Sequence, residues 1–376
     1  MRLLLYRWGA NNEQILRDNL ISSGHDVIEC SKKCRNYTAD VELAAEIIGL
    51  IHSSHIDAII SFNYFPIITM AADAAGIKYY SWVYDCPHFT LFAKTVGMQC
   101  NRIGIFDSDM VEDLRSRGIN TVFHLPLAVD TERWSELIGS SSEKENAKYF
   151  SDVSFVGSLY TDEHNYFDRI FEGGNDRDIK DVCEISKEDM EQAISKMADM
   201  GLMLGPDYSY KPEDIVIPSV FEKEQTILER SRLLWKVSAM EGIEFKLYTN
   251  SKTDMKNQGT VDYETKMPLV FAKSRINLNI SLKSIHTGIP LRVLDILSCG
   301  GFVLSNYQKE IAEFFEEDKE IVLFRSADEA MEKIRYYVNH EGERAQIAKA
   351  GFKAVKERFG YKERIGELLS PVWDKD

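Results

Sequence analysis

The chain opens with an alternation that few folds can accommodate. An apolar run, RLLLY, is followed by a helix-period segment, NNEQILRDNLISSG, closed by Gly24, and then by a second apolar run, HDVIEC. The segment ADVELAAEIIGLIHSS is expected to turn Val41, Ala44, Ala45, Ile48 and Ile51 toward the core. IDAIISF, IKYYSWVY, RIGIFDS and TVFHLPLAV read as further strands, separated by the helical segments PIITMAADAAG, LFAKTVGMQC and MVEDLRSRG. Parallel strands need a crossover between them, and helices supply it while covering both faces of the sheet. The pattern therefore predicts a parallel α/β sheet.

Around residues 135–150 the composition turns polar and Ser-rich, SELIGSSSEKENAKY, as in an interdomain connection. A second series starts at DVSFVGSLY and passes through a mostly helical stretch whose clearest helix is FEKEQTILERSRLLWKVSAM. It resumes with IEFKLYT and GTVDY as strands, then ETKMPLVFAKS, RINLNIS, IHTGIPLRVLDILSCGG, GFVLSN, QKEIAEFF, EIVLFR and SADEAMEKIRYYVNHEG. The fold class is α/β. The expected organisation is a Rossmann-like domain over 1–135 and a second over 150–355, with a helical insertion at about 161–240. A C-terminal helix within 356–376 is expected to pack back toward the first domain. Two such parallel-sheet domains in tandem would face a cleft, because open α/β sheets bind ligands beyond the carboxyl ends of their strands.

Composition narrows the ligand. The 376 residues carry 45 Lys and Arg against 60 Asp and Glu, a formal charge of -15, so no nucleic-acid partner is expected. An anion must be held locally, by backbone N–H groups and a few basic side chains. No stretch approaches the ~20 apolar residues of a membrane-spanning helix. The start, MRLLLYRWGANNEQ, lacks the apolar core and small-residue cleavage site of a secretory signal. A cytoplasmic location is expected, without a transmembrane segment but compatible with peripheral membrane contact. Cys30, Cys34, Cys86, Cys100, Cys183 and Cys299 show no CxxC spacing, so no metal site or disulfide framework is expected. The chain has neither GxGxxG nor GxxxxGK[ST], which sets dehydrogenases and P-loop enzymes behind.

Several candidates sit where strands end. Before the helix that starts near Pro290, the N–H groups around Gly288 and Ile289 could receive a phosphate, with Arg292 adding a bidentate contact. Asp295, three residues on, could accept sugar hydroxyls; alternatively Arg292 and Asp295 form an ion pair on a helix edge. Gly157 and Ser158, after SFV, could approach a diphosphate or simply make a turn. In YDCPHF, Asp85 or His88 could deprotonate a hydroxyl, unless Asp85 caps its loop and His88 is a surface residue. Trp8 and Gly9 in YRWGANN, and Asn63 in SFNYF, would line the same side. Asp107 and Asp109 could be read as a metal pair, but Asp before a helix is more simply an N-cap.

Together, SFVGSLY, FKLYT, GTVDYETKMPLVFAKSRINLNIS, HTGIPLRVLDILSCGGFVLSNYQKEIAEFF and EIVLFRSADEA resemble the carboxyl-terminal domain of GT-B glycosyltransferases, and specifically the CgeB-like "glycosyl transferases group 1" proteins. YYSWVYDCPHFTLF, NRIGIFDSD and VFHLPLAVD resemble that family's amino-terminal domain. The resemblance implies a hexosyltransferase that needs no bound metal and takes a nucleotide-sugar donor, with a UDP-sugar expected and no separate cofactor. On that pattern Gly157, Ser158, Tyr248, Tyr263, His286, Thr287, Gly288, Arg292 and Asp295 form the donor side, Tyr248 and Tyr263 at strand ends. Trp8, Gly9 and Asn63 form the acceptor side, with Asp85 as base and His88 in reserve. Many retaining relatives carry two glutamates eight positions apart where this chain has Thr287 and Asp295, so an inverting reaction is expected. The acceptor, whether protein, glycan or lipid carrier, is left open. A nucleotide-sugar 2-epimerase and a non-catalytic cytoplasmic sugar- or nucleotide-binding protein are the alternatives.

Overall fold

The computed structural model describes residues 1–86, 88–161 and 212–370. The chain divides into two compact units, one built from Met1–Pro126, the described residues of Cys183–Ser219 and the chain from Tyr361, the other from the described residues of Leu127–Val182 and Val220–Gly360. Each unit is built around its own sheet.

In the first unit, β1 (Arg2–Tyr6), β2 (Asp26–Cys30), β3 (Ala58–Phe62), β4 (Lys78–Val83), β5 (Asn101–Ile105) and β6 (Val122–His124) lie in the order β2-β1-β3-β4-β5-β6. Every pairing is parallel. All residues of β3 and β5 are buried, which is why both read as continuous apolar runs. From β1 the chain steps outward to β2 and returns on the other side to β3. The topological switch point thus lies between β1 and β3.

Two local readings are corrected. The helix Val41–Ser54 buries Leu43, Ile47 and Ile51, a stripe at four-residue spacing, while Val41 is 77% exposed. Asp40 fixes this rotation by capping the helix through Leu43 N–H. LFAKTVGMQC forms two short 3₁₀ turns, Phe89–Phe92 and Lys94–Gly97, in place of a helix. Asn101 donates to the Thr95 and Val96 carbonyls at 2.7 and 3.1 Å, engaging acceptors that a continuing helix would need. The C-terminal helix Tyr361–Leu369 packs on the helix Glu13–Ser22 and on β4 and β5. Tyr361 meets Trp82 edge-on at 5.8 Å, and Arg102 donates to the Glu367 and Ser370 carbonyls.

In the second unit, β7 (Ser151–Val156), β8 (Phe245–Tyr248), β9 (Ser274–Asn279), β10 (Val303–Asn306) and β11 (Val322–Phe324) lie in the order β11-β10-β9-β7-β8, again all parallel. The chain leaves β7 for β8 on one side and comes back to β9 on the other, so this sheet switches between β7 and β9. The Ser-rich stretch is helical, as Thr131–Gly139 and Glu143–Tyr149. Ser142 and Glu145 form a reciprocal capping box there, so a serine that suggested a linker starts a helix. GTVDY is no strand: the one bridge to β8, Leu247 to Asn257, falls before it.

The doubled glycine after the helix Leu291–Ser298 has two separate causes. Gly300 turns into the left-handed region at φ 69°, and Gly301 lies so close to the Phe271 carbonyl that a Cβ would sit 2.8 Å from it. Of the insertion expected at about 161–240, residues 162–211 lie outside the described chain, as do 371–376 of the expected C-terminal segment. The described end of the insertion is the helix Pro212–Ser238. No described helix is long and apolar enough to cross a membrane.

Candidate functional site

The two switch points have opposite chemistry. Beyond β1, the backbone N–H groups of Trp8 and Gly9 donate to the carboxylate of Glu13, at 2.8 Å and 3.2 Å. Glu13 is 3% exposed and opens the next helix, so a built-in carboxylate fills the position where such loops otherwise receive a ligand phosphate. Trp8 is pinned by its indole N–H to the Phe62 carbonyl at 3.0 Å and keeps 40% of its surface exposed.

Asn63 is a clamp within this loop cluster. Held at φ 58°, it donates to Asp85 Oδ2 at 2.7 Å, while its own Oδ1 accepts from the Tyr84 and Asp85 N–H groups at 2.9 and 3.3 Å. Its carbonyl accepts from the hydroxyls of Ser61 and Ser81. The β3 and β4 loops are thereby tied together, with Asp85 left on the exposed side. His88 is a buried residue, contrary to its surface reading: its Nε2 lies 3.2 Å from Tyr64 N and 3.1 Å from Tyr64 O. Burial lowers its pKa, opposed by the nearby Asp85 charge, so the imidazole is kept neutral. Of the two candidate bases, Asp85 is the one exposed to solvent. Asp107 caps its helix by accepting from Met110 N–H at 3.1 Å.

At the second switch point stands a residue that sequence reading missed. Arg230 is 8% exposed and bridges the carboxyl ends of β7 and β9: Nη1 donates to the Ser158 carbonyl at 2.5 Å, and Nε and Nη2 to the Ile280 carbonyl at 3.0 and 2.5 Å. Its guanidinium lies 5.6 Å from the Phe155 ring centre and 5.0 Å from that of Tyr160. Among the described residues no carboxylate pairs with it. Burial lowers its pKa, the Arg292 charge lowers it further, and Tyr160 opposes both. Among the described residues the guanidinium meets carbonyl dipoles, aromatic rings and a hydrogen bond with Tyr160, and a buried cation so placed is costly unless a negative group joins it. The missed signal was helical spacing. Thr226, Arg230, Leu233, Leu234 and Val237 share one buried face, and a lone arginine on such a face needs a reason.

The donor-side candidates distribute around Arg230. Ser158 supplies the accepting carbonyl, and its hydroxyl accepts from Tyr160 N–H at 2.9 Å. Gly157 donates to the Tyr248 carbonyl at 3.0 Å, and a Cβ on it would meet only the Phe155 ring, at 3.4 Å, so packing does not demand glycine there. Tyr248 is buried at the end of β8, and burial pushes its hydroxyl up to about 12. His286 is half-exposed and 2.8 Å from Glu222. Thr287 and Gly288 are buried beside the helix Leu291–Ser298, and the Thr287 carbonyl accepts from Glu310 N–H.

Arg292 and Asp295 do form the i, i+3 pair, at 3.2 Å, but on a buried surface. Asp295 is 2% exposed and also accepts from the Tyr263 hydroxyl at 2.8 Å; Tyr263 in turn meets Trp134 edge-on. Tyr263 reaches it from a turn, since no strand ends there. The Arg292 guanidinium keeps 28% side-chain exposure, 5.4 Å from the Phe271 ring centre.

Burial raises the Asp295 pKa from 3.8 to about 6, against the pull of Arg292 and Tyr263. A carboxyl raised in the folded state binds more protons than in the unfolded chain between those values, so stability falls as pH rises through that window. The cost saturates above pH 6 at about 3 kcal/mol. Asp295→Asn is expected to flatten that slope in denaturant titrations at pH 4, 5, 6 and 7. Parallel wild-type and variant curves would mean that Asp295 titrates normally.

Residues 229–370 match the family model described as Glycosyl transferase-like. An uncharacterized protein of Aquifex aeolicus (strain VF5) is 35% identical over 106 residues, 27% of this chain and 26% of that protein, so the match spans about a quarter of the relative's length. Among solved structures, Anabaena Alr3699/HepE in complex with UDP and glucose covers 99% of this chain and 100% of its own, at 10% identity and TM-score 0.57. A glycosyltransferase from Rickettsia africae ESF-5 covers 99% of each chain at 10% identity and TM-score 0.56. A sucrose-phosphate synthase from Thermosynechococcus elongatus covers 98% of each at 9% identity and TM-score 0.53. At such identities the likeness is one of fold.

Proposed function

We propose that this chain, whose two wholly parallel α/β sheets of six and five strands match GT-B glycosyltransferase structures, transfers a sugar from a nucleoside-diphosphate sugar to an acceptor hydroxyl. The observation that carries the reading is the contrast between the switch points: Glu13 fills the first, whereas Arg230, without a carboxylate among the described residues, stands at the second. The Glycosyl transferase-like match over 229–370 includes Arg230 and the helix Leu291–Ser298, and Alr3699/HepE, similar in fold, has been crystallised with UDP.

In the proposed reaction Asp85 takes the proton of the acceptor hydroxyl, whose oxygen attacks the anomeric carbon from the face opposite the leaving group. The bond to the diphosphate oxygen breaks with its electron pair on that oxygen. Arg230, Arg292 and the N–H groups at the start of the helix Leu291–Ser298 would hold the charge that develops. These cationic groups belong to the chain, so transfer is expected to persist in EDTA. The inverting course rests on Thr287 and Asp295 standing where retaining relatives carry glutamates.

A thermal-shift panel of UDP, GDP, dTDP and CMP tests donor binding. UDP is expected to stabilise the protein by about 2.7 kcal/mol at a hundredfold excess over Kd. Arg292→Ala is expected to weaken UDP about tenfold in calorimetry, the loss of one partly exposed charge-assisted contact. No shift with any nucleotide would remove the proposal, and unchanged UDP affinity would reduce Arg292 to the partner of Asp295. Isomerised nucleotide sugar in place of a glycosylated product would favour an epimerase.

A further inference from the structure

The first unit's switch point carries an aromatic platform at Trp8, one of the residues expected on the acceptor side. Trp8 is a large aromatic side chain with 40% exposure, yet its ring is fixed. The indole N–H is bonded to the Phe62 carbonyl, and Phe65 backs the ring at a centroid distance of 6.3 Å. Phe65 is itself buttressed by Tyr6 at 5.1 Å and by Tyr37 at 5.9 Å. Next along the chain, Gly9 at φ 98° has open space where a Cβ would stand. Phe62, which anchors the indole, ends β3 and precedes Asn63, which anchors Asp85, so platform and carboxylate are set by consecutive residues at one strand end. A rigid exposed ring loses little entropy on stacking, and the apolar face of a saccharide fits such a surface.

The surrounding charge selects within that class. The N–H groups of Trp8 and Gly9 that could receive a phosphate are occupied by Glu13. Arg7, which precedes Trp8, is paired with Glu29 at 2.6 Å and reaches Glu13 at 3.5 Å; Glu29 is also paired with Arg17 at 2.5 Å. Asp85 adds an exposed negative charge, and His88 is kept neutral. Two arginines thus face two glutamates and Asp18, and Asp85 adds to a balance already negative. A phosphate-bearing acceptor would meet occupied donors and a carboxylate.

Resting on the transferase reading, we propose that the acceptor is an uncharged saccharide whose ring stacks on Trp8, and that phosphorylated sugars and lipid phosphates are excluded at this site. The test has an arm that needs no donor. Glucose, N-acetylglucosamine and cellobiose are titrated into the full chain, beside glucose 6-phosphate and N-acetylglucosamine 6-phosphate, with saturation-transfer NMR as readout. At least one neutral sugar should bind wild type and Trp8→Phe, lose about tenfold or more in Trp8→Ala, and be preferred about tenfold or more over its phosphate.

A second arm measures transfer from a UDP-sugar to the same acceptors and to a polyprenyl phosphate. Here Trp8→Ala should raise the acceptor KM about tenfold while leaving the donor KM unchanged. Equal binding by Trp8→Ala, preference for a phosphorylated sugar or lipid, or no binding of any saccharide would overturn the inference. Failure of donor binding alone would instead strike the transferase reading, since the first arm still reports on Trp8.

Discussion

Arg230→Met is expected to lower kcat/KM for the nucleotide sugar by about 10³-fold while leaving the melting temperature near that of wild type. Both halves follow from the surroundings of this guanidinium. Truncation leaves the Ser158 and Ile280 carbonyls short of a donor, at a cost of about 1–3 kcal/mol each. It also removes a buried charge that has no carboxylate partner among the described residues, and relief of that desolvation offsets the loss. The unliganded fold should therefore change by no more than about 2 kcal/mol. Catalysis has no such compensation, because a preorganised cation aimed at developing charge contributes about 10²–10³-fold and also helps hold the ground-state diphosphate. Arg230→Lys keeps the charge but cannot bridge two carbonyls with a planar fork, and should fall between the two. A variant that unfolds but, wherever folded, turns over normally would make Arg230 purely structural.

Asp85→Asn is expected to reduce transfer about 10²–10⁴-fold without weakening UDP. Asn63 holds the side chain by one amide hydrogen bond and both loops by its own carbonyl oxygen, so an amide at position 85 keeps the loop in place and removes only the basic oxygen. Single-turnover rates at saturating donor, together with UDP calorimetry, separate the two effects. Retained transfer would take Asp85 out of the role, and lost UDP binding would show that the substitution acts through the fold.

Much of the architecture could be read from the sequence because parallel strands buried on both faces announce themselves as apolar runs: AIISF and NRIGI are buried throughout. Rotations and terminations were less legible. The face of the helix Val41–Ser54 depends on its Asp40 cap, and the 3₁₀ turns at Phe89–Gly97 depend on Asn101, a residue several positions downstream. The Ser142 capping box turned a supposed linker into a helix.

At the candidate site, Arg292 and Asp295 were visible as charges on an apolar helix, but their burial and the Tyr263 contact are products of packing. Arg230 was hidden because TILERSRLLWKV carries several charges, and only the buried register Thr226, Arg230, Leu233, Val237 distinguishes this one from its solvated neighbours. Glu13 was hidden for a related reason: a glutamate in the first turn of a helix is commonplace, and that it closes the Trp8–Gly9 loop emerges only from backbone geometry.

On the proposed function the β7–β9 switch point, and not the β1–β3 one, holds a nucleoside diphosphate. It is tested most directly by calorimetric titration of UDP into wild type, Arg230→Met and Asp85→Asn at one salt concentration. Wild type is expected to bind, Asp85→Asn to bind with unchanged affinity and Arg230→Met to lose about a hundredfold or more, the worth of a buried charged hydrogen-bond partner. UDP binding that survives Arg230→Met unchanged, or no UDP binding by wild type, would contradict it.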